Sequence, residues 1–263
     1  SMLAHASLLP CYTKSTETLI SNGAYQLQSQ DNNQQVLTAN PYYWAKEKVI
    51  FQQVKYQKIA ADADLSDFDV VINPQKTVQN IQDYPQLCTY FYEFNLADPM
   101  LQKSAVRKAI ASMISTKNLV ADMTRLHPSN TFLPKSMLGE QESVWEPVVA
   151  EQLLFQNQIS ETHPLKLRIR YDDSSLNQTI ATRLNRQLSQ SDLLRVENQG
   201  MSWQELQTAR TKGDFQLIRS GWCADFNDPV AFLNLFYSKS LDNKNGYKNA
   251  EFDRLYPDQP NPR

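Results

Sequence analysis

From Leu165 to Phe236 the chain alternates two hydrophobic periods, and that alternation limits the folds open to it. Leu165, Leu167, Ile169 and Tyr171 alternate with Lys166, Arg168 and Arg170, the two-residue period of a half-buried strand, and Asp172-Asp173-Ser174 ends it. Ile180, Leu184 and Leu188 then recur at helical spacing over 177–188. Ser202-Trp203-Gln204-Glu205 has the spacing of a capping box and opens a second helix, which Lys212-Gly213 closes. Phe215 to Ile218 reads as a short buried strand that Gly221 ends. Asp228-Pro229 opens the apolar run Val230–Phe236 as a helix, with Asp at the N-cap and Pro at the first helical position. Strand, helix, helix, strand, loop and helix in that order predict an α/β lobe.

Between the last strand and the last helix lies Gly221-Trp222-Cys223-Ala224-Asp225-Phe226-Asn227. Open α/β sheets bind ligands beyond the carboxyl ends of their strands, so the Trp, Cys and Asp are candidates for ligand contact. A capped connection with one incidental acid explains the same residues equally well on chemistry alone.

The earlier part of the chain is strand-rich. Residues 1–22 read as irregular, with an apolar start from Leu3 to Leu9. Tyr25 and Leu27 alternate with Gln26 and Gln28, Asp31-Asn32-Asn33 makes a turn, and Val36-Leu37 begins the return strand. Residues 49–56 predict another strand, and Phe68 to Asn73 a short one that Pro74 ends. Tyr42, Tyr43 and Trp44 are expected to pack under a loop. Ser104 to Met123 predicts one helix through Val106, Ile110, Met113, Ile114 and Leu119, with Arg107 and Lys108 on a solvated face. Asn130 to Pro134 reads as an extended connector, and Val148 to Phe155 as a short helix.

Composition excludes several functions. A chain of 263 residues with net charge −2 and a pI near 6.0 offers no basic surface to nucleic acid or to an anionic membrane. No apolar run approaches the ~18 residues of a membrane span. Ser1-Met2 reads as a tag remnant, so the lack of a visible leader says nothing about compartment. His5, His127 and His163 are isolated and lack metal-ligand spacing, and no nucleophile elbow or phosphate-binding glycine loop is present. No reaction, cofactor or metal is expected. Three cysteines, Cys11, Cys88 and Cys223, are compatible with one disulfide and one free thiol, and spacing alone leaves the pairing open.

Gly-Trp-Cys-Ala-Asp-Phe-Asn-Asp-Pro, followed by Phe232-Leu233-Asn234, resembles the ligand-binding loop of the periplasmic oligopeptide-binding proteins of peptide ABC transporters, family 5 of the extracellular solute-binding proteins. Ser21-Asn22-Gly23-Ala24-Tyr25, Asn40-Pro41-Tyr42-Tyr43-Trp44, the Val106-Arg107 helix and Glu251-Phe252-Asp253-Arg254-Leu255 match the same pattern in the same order. Residues 257–263 depart from it, so the resemblance implies a large C-terminal fragment of a typical member. The implied fold is a type II periplasmic-binding-protein-like α/β fold. It has two lobes, the first incomplete: 1–86 as the strand-rich partial lobe, 87–263 as the lobe carrying the ligand loop.

The resemblance also implies roles. Asp225 would meet the ammonium end of a bound peptide, and Cys223 would pair with Cys88 on the Leu87–Asn95 strand, leaving Cys11 free. That pairing implies an oxidising compartment, the periplasm or the outer face of the cytoplasmic membrane. Arg210 and Arg219 fall at basic positions of the side-chain pockets and carboxylate end; a surface or intralobe salt bridge is the alternative for each, and the pocket is the favoured place for Arg219, three residues before Trp222. Trp203 and Trp222 fall at aromatic pocket walls, Phe91 takes a position usually held by Tyr, and Glu93 matches an acid on the same strand. Asn177 stands where the family has a pocket His. The implied partners are a peptide and an ABC permease, with a monomer expected and membrane contact only through the transporter or a lipid anchor outside this chain. Two other readings stay open: the ligand-sensing domain of a transcriptional regulator, and a relative whose cargo is haem, a metal chelate or an antimicrobial peptide.

Overall fold

The computed structural model describes residues 11–14, 18–72, 74, 81, 82, 84, 86–134, 137 and 149–256. The apolar start at Leu3 to Leu9 and the divergent tail after Tyr256 lie outside these residues. The chain divides into two compact units, Ser1–Pro85 and Gln86–Arg263.

The first unit is built of strands. β1 (Cys11–Lys14) and β2 (Thr18–Ser21) form an antiparallel pair where the sequence suggests irregular chain. β3 (Tyr25–Gln30), β4 (Gln34–Ala39) and β5 (Gln53–Gln57) form an antiparallel meander. The β3–β4 turn is set by Asp31, whose Oδ1 accepts from the backbone N–H groups of Asn33 and Gln34 at 2.7 and 2.8 Å. Residues 49–52 stay outside the strand, with Ile50 and Phe51 exposed. The island at Phe68 to Ile72 is not a strand either, and Val70 and Ile72 face outward. The expected burial of Tyr42 and Trp44 is also overturned: they are 91% and 83% exposed, and Trp44 rests against the ring of its neighbour Tyr43. The reason is common to all three. Ala45 is the sole buried apolar residue among those described in this unit, so the described residues offer no core to receive them.

The second unit carries the core. Its sheet runs in the order β6 (Cys88–Phe94), β9 (Leu217–Cys223), β7 (Leu165–Asp172), β8 (Leu194–Met201). β7 is parallel to β8 and β9, and β6 lies antiparallel along β9. α4 (Ser175–Leu188) links β7 to β8, and α5 (Trp203–Lys212) links β8 to β9. On one face, Leu165, Leu167, Ile169, Tyr171 and Leu217 pack with Ala181, Leu184 and Leu188 of α4 and with Val106 and Ile110. On the other, Met201, Phe215 and Ile218 pack with Leu206 and Ala209 of α5. Two helical layers thus sandwich the sheet.

Local chemistry fixes the ends of these elements. Ser174 accepts from Asn177 N–H at the start of α4. At α5 the capping box is complete: Ser202 Oγ accepts from Glu205 N–H, and the Glu205 carboxylate accepts from Ser202 N–H at 2.9 Å. Gly213 closes α5 in the left-handed region, φ 67°, a conformation that costs a side-chain-bearing residue. The helix expected over 104–123 is two: α1 (Ser104–Ser112) and α2 (Thr116–Leu119). Ser115 causes the break, since its hydroxyl accepts from Asn118 N–H and caps a new turn. α3 spans Ala150–Gln156. The expected helix from Val230 to Phe236 is one α-turn, α6 (Val230–Leu233), running into a 3-10 turn. α7 spans Ala250–Leu255 and is capped by Asn249.

Candidate ligand-binding site

β9 leads into the candidate loop. Gly221 does not end this strand, contrary to the sequence expectation; it pairs with Tyr90, and the ladder continues to Cys223 opposite Cys88. Cys88 and Cys223 are joined by a disulfide, the pair that the resemblance implies, across Cα atoms 4.0 Å apart. Ala224 N–H then donates to Leu87 O at 2.8 Å, extending the strand contact by one residue. From there the backbone bends through Asp225 to Asp228.

The far side of the loop is fixed as well. Trp222 Nε1–H donates to Ala231 O at 2.7 Å, tying the strand end to α6. Asp228 Oδ1 accepts from Val230 N–H at 2.8 Å, but the N-cap position of α6, expected at Asp228, is taken by Pro229. Asp225 is exposed in the middle of a short loop whose two ends are held by a covalent bond and a part-buried hydrogen bond.

The other candidate residues fall into two groups. Glu93 and Phe91 lie on β6 opposite Ile218 and Ser220 of β9, on the face that packs on α5. There Arg210 of α5 forms an ion pair with Glu93 and donates to Arg219 O at 2.9 Å; the Arg210 and Glu93 side chains are 10% and 12% exposed. Arg219, opposite Tyr92, points to the other face. Its guanidinium carbon lies 4.9 Å from the centroid of the Tyr90 ring, and its Nη1 lies 3.3 Å from Asp172 Oδ1 at the end of β7. Trp203 sits at the start of α5, half exposed, one residue after the capping Ser202.

Asp172 Oδ1 and Arg219 Nε are buried and make no hydrogen bond, nor does the buried Asn177 Oδ1 near the start of α4, while the buried hydroxyls of Tyr90 and Tyr92 lie close to each other and to Arg219. Burial raises both tyrosine hydroxyls above their usual range, so they stay protonated near neutral pH. Among the described residues, no group of three His, Cys, Asp or Glu could hold a metal ion.

Sequence reasoning missed one hub. Phe132, read as part of a connector, meets Phe91 and Phe236 edge-on at 4.9 Å and Phe232 at 5.7 Å, while its carbonyl accepts from Thr89 Oγ1 at 2.9 Å. It therefore joins β6 to the segment after the loop. The signal for it in the sequence is an aromatic residue in a short connector, next to Leu133.

Comparison with known proteins places this arrangement. A protein of Haemophilus influenzae named only as a binding protein is 86% identical over 256 residues, 97% of this chain and 50% of that protein. The periplasmic oligopeptide-binding protein OppA of Salmonella typhimurium is 26% identical, over 98% of this chain and 54% of its own. The structure of the Escherichia coli murein tripeptide binding protein MppA aligns with 89% of this chain and 51% of its own, at TM-score 0.65 and 25% identity. The chain thus spans about half the length of the curated relatives it matches. These relatives are binding proteins, and among the described residues no helix is long and apolar enough to cross a membrane. The family model described as bacterial extracellular solute-binding proteins, family 5 Middle, matches residues 11–244, and the chain belongs to that family.

Proposed function

We propose that this chain carries the ligand loop of a protein that captures oligopeptides outside the cytoplasm and delivers them to an ABC permease. The observation that carries the reading is the loop itself: an exposed carboxylate, Asp225, in a segment fixed at both ends by Cys88–Cys223 and Trp222–Ala231. A preorganised carboxylate suits the ammonium end of a peptide, because little ordering remains to oppose binding. A charge-assisted hydrogen bond in a closed cleft contributes roughly 1.5–3 kcal/mol. Trp222 walls the pocket, and Cys223 helps fix its edge. Phe91, Trp203 and the two ion-paired arginines, Arg210 with Glu93 and Arg219, border it.

In this reading residues 1–86 contribute to one lobe and 87–263 to the other, the second carrying the ligand loop. The disulfide suits an oxidising compartment, in keeping with relatives named as periplasmic. Substitution of Asp225 by Asn in the full-length protein is expected to weaken peptide binding by an order of magnitude or more, measured by calorimetry. Unchanged affinity would remove Asp225 from the amino-terminal role.

A further inference from the structure

We propose that Asp172 makes the Arg219 part of this site charge-neutral, so that the ligand group received there is an uncharged amide or hydroxyl rather than a carboxylate. The inference rests on the reading of the loop as a peptide site. Arg219 lies three residues before Trp222 on the same strand, and is the cation nearest the loop along it. It is not an unopposed cation. Its Nη1 stands 3.3 Å from Asp172 Oδ1, and both side chains are 22% exposed. The second candidate cation, Arg210, is matched by Glu93 in a pair that is nearly buried.

Two arginines therefore face two carboxylates, and their formal charges cancel. A ligand carboxylate entering beside Arg219 would meet the fixed Asp172 charge as well, or would have to displace it. Breaking a largely desolvated pair leaves one charge uncompensated, which opposes such binding. The hydrogen-bonding capacity left over is of mixed type. Arg219 Nε donates and Asp172 Oδ1 accepts, and neither of these two atoms makes a hydrogen bond, while the protonated hydroxyl of Tyr90, whose ring lies under the Arg219 guanidinium, adds a donor. An amide or a hydroxyl supplies both a donor and an acceptor without charge; a carboxylate supplies acceptors alone. The specificity-determining residue is thus Asp172, acting through Arg219.

The test uses the full-length protein and two peptides of one sequence, both with free amino termini, one ending in a carboxylate and one in a carboxamide. Calorimetry is expected to give affinities within about threefold of each other. Asp172→Asn frees Arg219 and is expected to favour the carboxylate form by roughly ten- to a hundredfold, the span of a charge-assisted hydrogen bond. Asp172→Ser serves if that variant does not fold. A parent preference for the carboxylate of tenfold or more that vanishes in Arg219→Gln overturns the proposal.

A second arm needs no peptide. Acetate, against chloride at matched ionic strength, is expected to raise the melting temperature of Asp172→Asn and leave the parent unchanged. Acetate that stabilises the parent through Arg219, or that stabilises neither protein, overturns the proposal. If no peptide binds the parent at all, the peptide-capture reading fails, and the acetate arm still decides the charge state of the site.

Discussion

Replacement of Glu93 by Leu isolates the buried ion pair that links β6 to α5. Glu93 and Arg210 are 12% and 10% exposed, so solvent screens them little. A leucine at this position would lie beside Ile218 and the Leu206–Phe215 cluster, a setting that accepts an apolar side chain. Arg210 would keep its hydrogen bond to Arg219 O and lose its counter-ion. Removing one partner of a buried pair costs about 3–5 kcal/mol, because the remaining charge stays out of water. In a unit of this size each kcal/mol lowers the melting temperature by roughly 2–4 °C, so the expected fall is about 6–20 °C. The double variant Glu93→Leu/Arg210→Met removes both charges and is expected to recover most of that loss. Urea denaturation followed by tryptophan fluorescence gives the cycle. A single-variant cost below about 1 kcal/mol, or a double variant no better than the single, would mean that water screens this pair despite its burial.

The two units should differ when separated. Residues 86–263, which hold both apolar clusters, are expected to give a cooperative melt alone, whereas residues 1–85 are expected to give none, as read by circular dichroism. Asp214 supplies a pH dependence. Partial burial pulls its pKa up, but hydrogen bonding from Arg170 and the charges of Arg170 and Arg168, at 2.6 and 2.8 Å, hold it below its ordinary 3.8. The unfolded chain therefore binds a proton that the folded chain refuses, and stability should fall as pH drops through 3.8 and below. Asp214→Asn lacks this contribution, so its urea midpoint should change less than the parent's between pH 6 and pH 3.

How much of the fold is legible in the sequence depends on whether the deciding force is local. The capping box at Ser202 and Glu205, the left-handed stop at Gly213 and the alternation of Leu165 to Tyr171 are legible, because each is set by a few adjacent residues. The break at Ser115 is not, since a capping serine inside an apolar period looks the same as a tolerated one. Gly221 reads as a stop because its pairing partner, Tyr90, is remote in the chain. The strand expected at Phe68 to Asn73 is not formed over its described residues, Phe68 to Ile72, because the described residues of that unit offer it no buried apolar surface, a property of the surroundings and not of the segment. At the site, the loop and its cysteines are visible as a motif. The partners of the arginines are not: Asp172 is 47 residues before Arg219 and Glu93 is 117 before Arg210, so only the folded sheet brings each pair together.

Whether this loop receives the amino terminus of a peptide is decided most directly by calorimetry on the full-length protein. One peptide is compared in free and N-acetylated form, which removes the ammonium charge and leaves the rest of the ligand unchanged. Acetylation is expected to weaken binding by tenfold or more, and Asp225→Asn to erase the difference. Equal affinity for the two forms, with the parent binding both, would contradict the role given to Asp225.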